Sequence, residues 1–144
     1  MNRNYNALIL KSVKITAGAI LAILFASCLN LKYSATAGII TILSIQNTKK
    51  ETIQTAFARG EAFCCALLVS FLCYNFFGYT TAAFGIYLLV FTTLCLTMKW
   101  SSAIAMDSVL ITHFLAEKIM NIPMIANEIS LFLIGAGIGV LLNL

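Results

Sequence analysis

AGIITILSIQNTKKETIQTAFARGEAF, residues 37–63, begins as apolar as lipid, turns polar at Gln46, and becomes apolar again after Glu61. Where that interruption lies relative to a bilayer decides the fold. Hydrophobic residues make up 61% of the 144-residue chain and charged ones 10%, a balance outside the range of soluble domains. A hydrocarbon core of about 30 Å takes about 20 mainly apolar helical residues, with shorter segments tolerated where protein covers them.

Working outward from the opening stretch, residues 15–31 form a run of seventeen without a charge, and residues 62–98 a run of thirty-seven. The longer run exceeds one crossing and must fold back. Its break falls at YNFFGYT, residues 74–80, where Asn75, Gly78 and clustered aromatics suit a turn at the membrane–water interface. A further segment after Trp100 carries Asp107 and His113, and Pro123 opens a last one, tolerated in the first turn of a helix. The thirteen apolar or small residues 33–45 would reach only about 20 Å as a helix, so they either span or re-enter.

Positive charge separates those options, because short cytoplasmic loops collect Lys and Arg. With six spans and the N-terminus inside, Arg3, Lys11, Lys14, Lys49, Lys50, Arg59 and Lys99 are cytoplasmic and only Lys32 and Lys118 external, seven against two. If residues 33–45 only dip into the membrane, the inside keeps Arg3, Lys11, Lys14 and Lys118 against five outside. The expected fold is therefore all-α: a polytopic membrane bundle of six transmembrane helices, the second short. Its approximate spans are 13–31, 33–46, 60–77, 80–98, 100–118 and 123–144, in one transmembrane domain, with both termini cytoplasmic. The basic start MNRNYNALILKSVK precedes too long an apolar run, and too poor a small-x-small site, for a signal peptide, and reads as a retained first span with an amphipathic lead.

The polar interruption then becomes a cytoplasmic turn ahead of a third helix that begins below the membrane. Thr48 and Glu51 form a T-x-x-E capping box, in which hydroxyl and carboxylate each satisfy a backbone N–H left free by the first turn. Lys49, Lys50 and Arg59 are either a topology anchor or an anion funnel, which would concentrate a negatively charged solute at the mouth of the bundle and weaken with salt.

AGIITILSIQNTKKETIQTAFAR, residues 37–59, together with SVLITHFL, residues 108–115, resembles the membrane region of the bacterial aromatic acid exporter family, within the fusaric-acid-resistance-like group, and the likeness extends over essentially the whole chain. The resemblance implies a six-helix membrane half-unit that exports aromatic carboxylates, with plant relatives that pass organic anions through a dimeric channel. It also implies a C-terminal cytoplasmic helical domain, which the chain, stopping at GVLLNL, does not reach.

The residues also carry a reading of their own. Ionisable groups inside spans are costly and mark solute or proton paths. At 100° per residue Asp107, His113 and Glu117 share a sector of about 120° on the fifth helix, with His113 and Glu117 adjacent at i, i+4. Histidine changes charge near neutral pH, so His113 is a candidate proton carrier with Asp107 or Glu117 as relay. The alternative is a packing histidine bonded to a neighbouring helix, with Glu117, beside Lys118, an interfacial residue. Glu128, five residues past Pro123, suits the positive end of the sixth helix dipole.

GAGIG, residues 135–139, is not a phosphate loop: no strand precedes it, and Gly135 and Gly139 at G-x-x-x-G spacing point to close helix packing. TAGAI at residue 16 and TAGII at residue 36 form a second small-residue pair. Cys28, Cys64, Cys65, Cys73 and Cys95 lack C-x-x-C spacing, which points to reduced packing residues rather than a metal or redox site. No catalytic constellation, cofactor motif or metal-ligand spacing is visible, and nothing points to nucleic acid. The expected partners are the lipid bilayer, a small organic anion and a second copy of the chain, since six short helices poorly enclose a path alone. A passive anion channel and a non-transporting anchor for a cytoplasmic sensor domain are the competing function classes.

Overall fold

The computed structural model describes residues 2–45 and 48–143, with the side chains at positions 2 and 3 left out. The predicted span boundary at Gln46, the predicted end of the last span at Leu144 and the Arg3 side chain counted in the charge balance lie outside the described residues. Among the described residues the chain is all-helical, with α1 (Asn2–Cys28), α2 (Ser34–Ser44), α3 (Lys49–Phe77), α4 (Thr81–Thr97), α5 (Ile104–Glu117) and α6 (Ile122–Leu142). A single 3-10 turn, Ser101–Ala103, precedes α5. By length and composition α1, α3 and α6 can each cross a membrane, whereas α2 and α4 are shorter apolar helices.

Local chemistry explains the boundaries. At the start of α3 the Thr48 hydroxyl accepts the Glu51 N–H at 3.1 Å, meeting one of the donors that a first turn leaves open. Gly78, at φ 77°, supplies the left-handed turn that ends α3, and Thr80 caps α4 by accepting the Ala83 N–H at 3.2 Å. Asn121 does the same for α6, accepting the Met124 N–H at 3.0 Å, so Pro123 lies inside the first turn where its missing N–H costs nothing. The α-helical part of α5 begins only at Ile104, because Lys99 is left-handed at φ 61° and residues 101–103 wind as a 3-10 turn.

The chain divides into two compact units, Met1–Ile53 with Asn127–Leu144, and Gln54–Ala126. In the first, the eleven residues of α2 cover about 16 Å and are gripped by small residues. A Cβ on Gly135 would sit 2.5 Å from Ile40 Cβ and 2.7 Å from the Ala37 carbonyl oxygen, and one on Gly139 2.7 Å from Ser44 Cβ. Gly38 of α2 lies equally close to α1: its Cβ would be 2.7 Å from Ile23 and 3.0 Å from the Ala19 carbonyl. Gly18 of α1 in turn abuts Leu142 and Thr41. Close backbone approach of this kind is how helices gain packing energy in lipid, where burial of apolar surface contributes little between them.

The second unit is packed on larger side chains. Ala62, Ala66, Cys73 and Tyr74 of α3 meet Tyr87, Phe91 and Cys95 of α4, Ile111 and Phe114 of α5, and Met124 at the start of α6. Phe84, Tyr87 and Phe91 stack along α4, with ring centroids 5.6 and 5.4 Å apart.

Candidate functional site

The second unit places several of its buried polar groups near the first turn of α5. Asp107 lies in that turn with no exposure to solvent, and neither of its carboxylate oxygens has a hydrogen-bond partner. Its first-turn position favours a carboxylate through the helix dipole, yet no side chain or backbone donor meets it. Ser108 on the same helix and Tyr87 on α4 are also buried, and both hydroxyls lack partners. Tyr87 approaches Ser108 and interacts electrostatically with Asp107, and Cys95, two turns further along α4, interacts with Asp107 as well. Four polar oxygens thus lie unpartnered in one apolar interior.

Arg59 of α3 stands beside them. It is 6% exposed, donates from Nε to the Ser102 carbonyl at 3.2 Å, and places Nη1 3.8 Å from Met106 Sδ. It interacts electrostatically with Asp107, although the carboxylate accepts no hydrogen bond from it. Its two anchors belong to the 3-10 turn and to α5, so the guanidinium fastens α3 to the segment carrying Asp107. Arg59 therefore lies within a helix and a buried core. Lys49 and Lys50 are exposed at the beginning of the same helix, nine and ten residues earlier, about 14 Å along its axis.

His113 is buried on α5, and Glu117, the last residue of that helix, is half-buried. Lys118 follows in a left-handed conformation that closes α5. Because the α-helix starts at Ile104, Asp107 lies at its beginning. Tyr74 Oη donates to the Ile111 carbonyl at 3.3 Å, tying α3 to the middle of α5.

The first unit satisfies its polar groups at both ends. At one end Asn143 of α6 donates from Nδ2 to Thr52 Oγ1 at 2.6 Å and accepts Lys14 Nζ of α1 on Oδ1 at 3.2 Å. The Lys14 ammonium, the start of α3 and the end of α6 thus meet. At the other end Asn127 pairs with the Lys32 backbone, accepting its N–H at 2.7 Å and donating to its carbonyl at 3.1 Å. Glu128, read from the sequence as dipole compensation, is fully buried and accepts from the Asn127 amide at 3.3 Å.

Tyr87, Ser108, Asn127 and Asn143 were not singled out in the sequence. Tyr87 and Ser108 are polar members of otherwise apolar segments, and the signal available for Ser108 was its place beside Asp107. Among the described residues no group of three or more His, Cys, Asp or Glu side chains is placed to hold a metal ion. The five cysteines are free.

Residues 7–144 match the family model described as "Aromatic acid exporter family member 1". A Bacillus subtilis (strain 168) protein, "Uncharacterized protein YqjA", is 36% identical over 134 residues, which cover 93% of this chain and 42% of that protein. The chain thus spans about two fifths of the length of that relative. No solved structure matches.

Proposed function

The chain belongs to the aromatic acid exporter family, and on that premise we propose that it is a membrane transporter that moves aromatic or related organic carboxylates out of the cell in exchange for protons. The family match over residues 7–144 carries this reading. The buried ionisable residues of α5 support it, since such groups in an apolar bundle are expensive to keep without a transport role. In the proposal the six helices all cross the cytoplasmic membrane, with both termini inside, and a second copy completes the path. The hydrogen bonds that join Lys14, Thr52 and Asn143 at one end of the first unit agree with such a topology, because the start of α3 and the end of α6 then share a side.

Each residue then has a task. Lys49 and Lys50 draw the anion to the start of α3, while Thr48 and Glu51 cap that helix and hold it in place. Arg59 supplies a fixed positive charge deeper along it. His113 takes up and releases the exchanged proton, with Asp107 and Glu117 as relay groups, while Gly135 and Gly139 keep α6 against α2. The test is export of 4-hydroxybenzoate and a panel of related carboxylates from proteoliposomes, with and without a proton gradient, comparing wild type with His113→Ala. Gradient-dependent export lost in the variant is the expected result. Flux that follows voltage without the gradient identifies a channel, and no flux of any carboxylate overturns the reading.

A further inference from the structure

Burying an ionised carboxylate without a partner costs several kcal/mol even after the surroundings relax. Such a group normally pairs, takes up a proton or binds a cation. Asp107 does none of the first: its two oxygens meet no donor, and the oxygens of Tyr87 and Ser108 beside it meet none either. Each of these side chains is at least nine-tenths buried, so bulk water does not compensate them. The unsatisfied set consists of hard oxygen atoms only, one carboxylate and two hydroxyls, contributed by two helices.

Charge narrows what such a set can take. One carboxylate balances one positive charge, and with the Arg59 guanidinium already close a divalent ion would leave a larger surplus in an apolar interior than a monovalent one. Soft metals prefer sulfur or imidazole, and among the described residues no group of three or more His, Cys, Asp or Glu side chains is placed to hold one. The other titratable groups facing this core from α3 are Cys65, which interacts with Cys95, Cys73, and Tyr74, whose hydroxyl is committed to the Ile111 carbonyl.

We infer that Asp107, Tyr87 and Ser108 form a binding site for one monovalent cation, a proton or a sodium ion, held between the first turn of α5 and the middle of α4. Occupancy neutralises Asp107 and gives the two hydroxyls an acceptor or a cation to meet. Loss of the cation restores a bare carboxylate beside Arg59 and favours the guanidinium moving from Ser102 and Met106 toward it. Since those two contacts join α3 to the 3-10 turn and α5, the bound cation controls whether α3 stays fastened to them. This deepens the exporter reading and rests on it for the cation's role in transport, whereas the binding itself does not depend on that reading.

Trp100, the single tryptophan of the chain, packs half-buried against the same core, and its backbone N–H donates to the Cys95 carbonyl at 2.7 Å. Its emission therefore reports on the site with no transported solute present. The protein in detergent is titrated with sodium chloride at alkaline pH, choline chloride keeping the ionic strength constant, and separately with acid in choline buffer. Wild type is expected to show one saturable change, driven by sodium in the first series or by protons alone in the second, which identifies the cation. Asp107→Asn, nearly isosteric, abolishes it, and Tyr87→Phe moves the midpoint about tenfold, the worth of one hydrogen bond to a charged group. Helical circular dichroism and monodisperse elution establish that each variant folds. No saturable response in wild type, a response retained in Asp107→Asn, or unchanged midpoints in both Tyr87→Phe and Ser108→Ala overturns the site. Carboxylate flux plays no part in these measurements, so failure of the exporter reading and failure of the cation site are told apart.

Discussion

Two short helices, α2 in the first unit and α5 in the second, bury polar side chains in opposite ways. In α2 the Thr41 hydroxyl lies 2.9 Å from the Gly135 carbonyl and 3.1 Å from that of Ala37, and Ser44 Oγ donates to the Ile40 carbonyl at 2.6 Å. The Thr41 and Ser44 hydroxyls both lie against backbone oxygens, and glycines bring the backbones within reach. In α5 the buried Asp107 and Ser108 have no partner at all, and the neighbouring helices approach through aromatic and sulfur side chains. Among the described residues, the buried side-chain oxygens and nitrogens without a partner all belong to the second unit. Leaving four oxygens unmatched costs stability, and such a cost is retained where a ligand or a proton repays it.

The sharpest way to break this comparison is to overfill the clasp around α2. Gly135→Val places branched carbon where Ile40 and the Ala37 carbonyl already stand, and is expected to lower unfolding free energy in micelles by about 3 kcal/mol. A change below a few tenths of that would mean α2 is not gripped at this point. The second test runs in the opposite direction. Asp107→Leu removes a buried carboxyl group whose oxygens meet no donor and should raise stability by about 2 kcal/mol, while gradient-driven carboxylate export disappears. A destabilised but active variant would show that Asp107 serves structure instead.

Smaller effects refine the contrast. Thr41→Val keeps the shape of the side chain and deletes its shared hydrogen bond to Gly135 and Ala37, so thermal unfolding should report a loss of about 1 kcal/mol. Smallest is the joint change Lys49→Gln with Lys50→Gln, two exposed residues at the start of α3. Stability should be unchanged, and initial export rates at low ionic strength should fall about twofold, the difference vanishing in high salt. A salt-independent loss would remove steering as their role.

Much of the local structure was legible. TAGAI and TAGII marked small residues in the first two helices, and in the structure Gly18 and Gly38 both lie where α1 and α2 approach, since a helix face free of bulk is already visible as spacing. G-x-x-x-G put Gly135 and Gly139 on one stripe of α6 for the same reason. The partners of that stripe, Ile40 and Ser44, were not legible, because any apolar helix can receive a smooth face. Asp107 stood out because charge is rare in such a sequence. Tyr87 did not, since a tyrosine among apolar residues in a membrane chain carries no sign of whether its hydroxyl will reach water, a partner or neither.

Sequence by itself determined that the chain is helical and suited to a membrane, that α3 is capped at Thr48 and the long apolar run breaks near Gly78, and which family it belongs to, because composition, capping residues and turn glycines act over a few residues. Tertiary structure alone decided that Arg59 lies buried against Ser102 and Met106 while Lys49 and Lys50 remain exposed, that Glu128 is enclosed, and that Asp107, Ser108 and Tyr87 share an interior. Those outcomes depend on which faces of separate helices meet. In an almost uniformly apolar chain the pattern of hydrophobic residues does not specify that pairing, and close packing and hydrogen bonding between helices do.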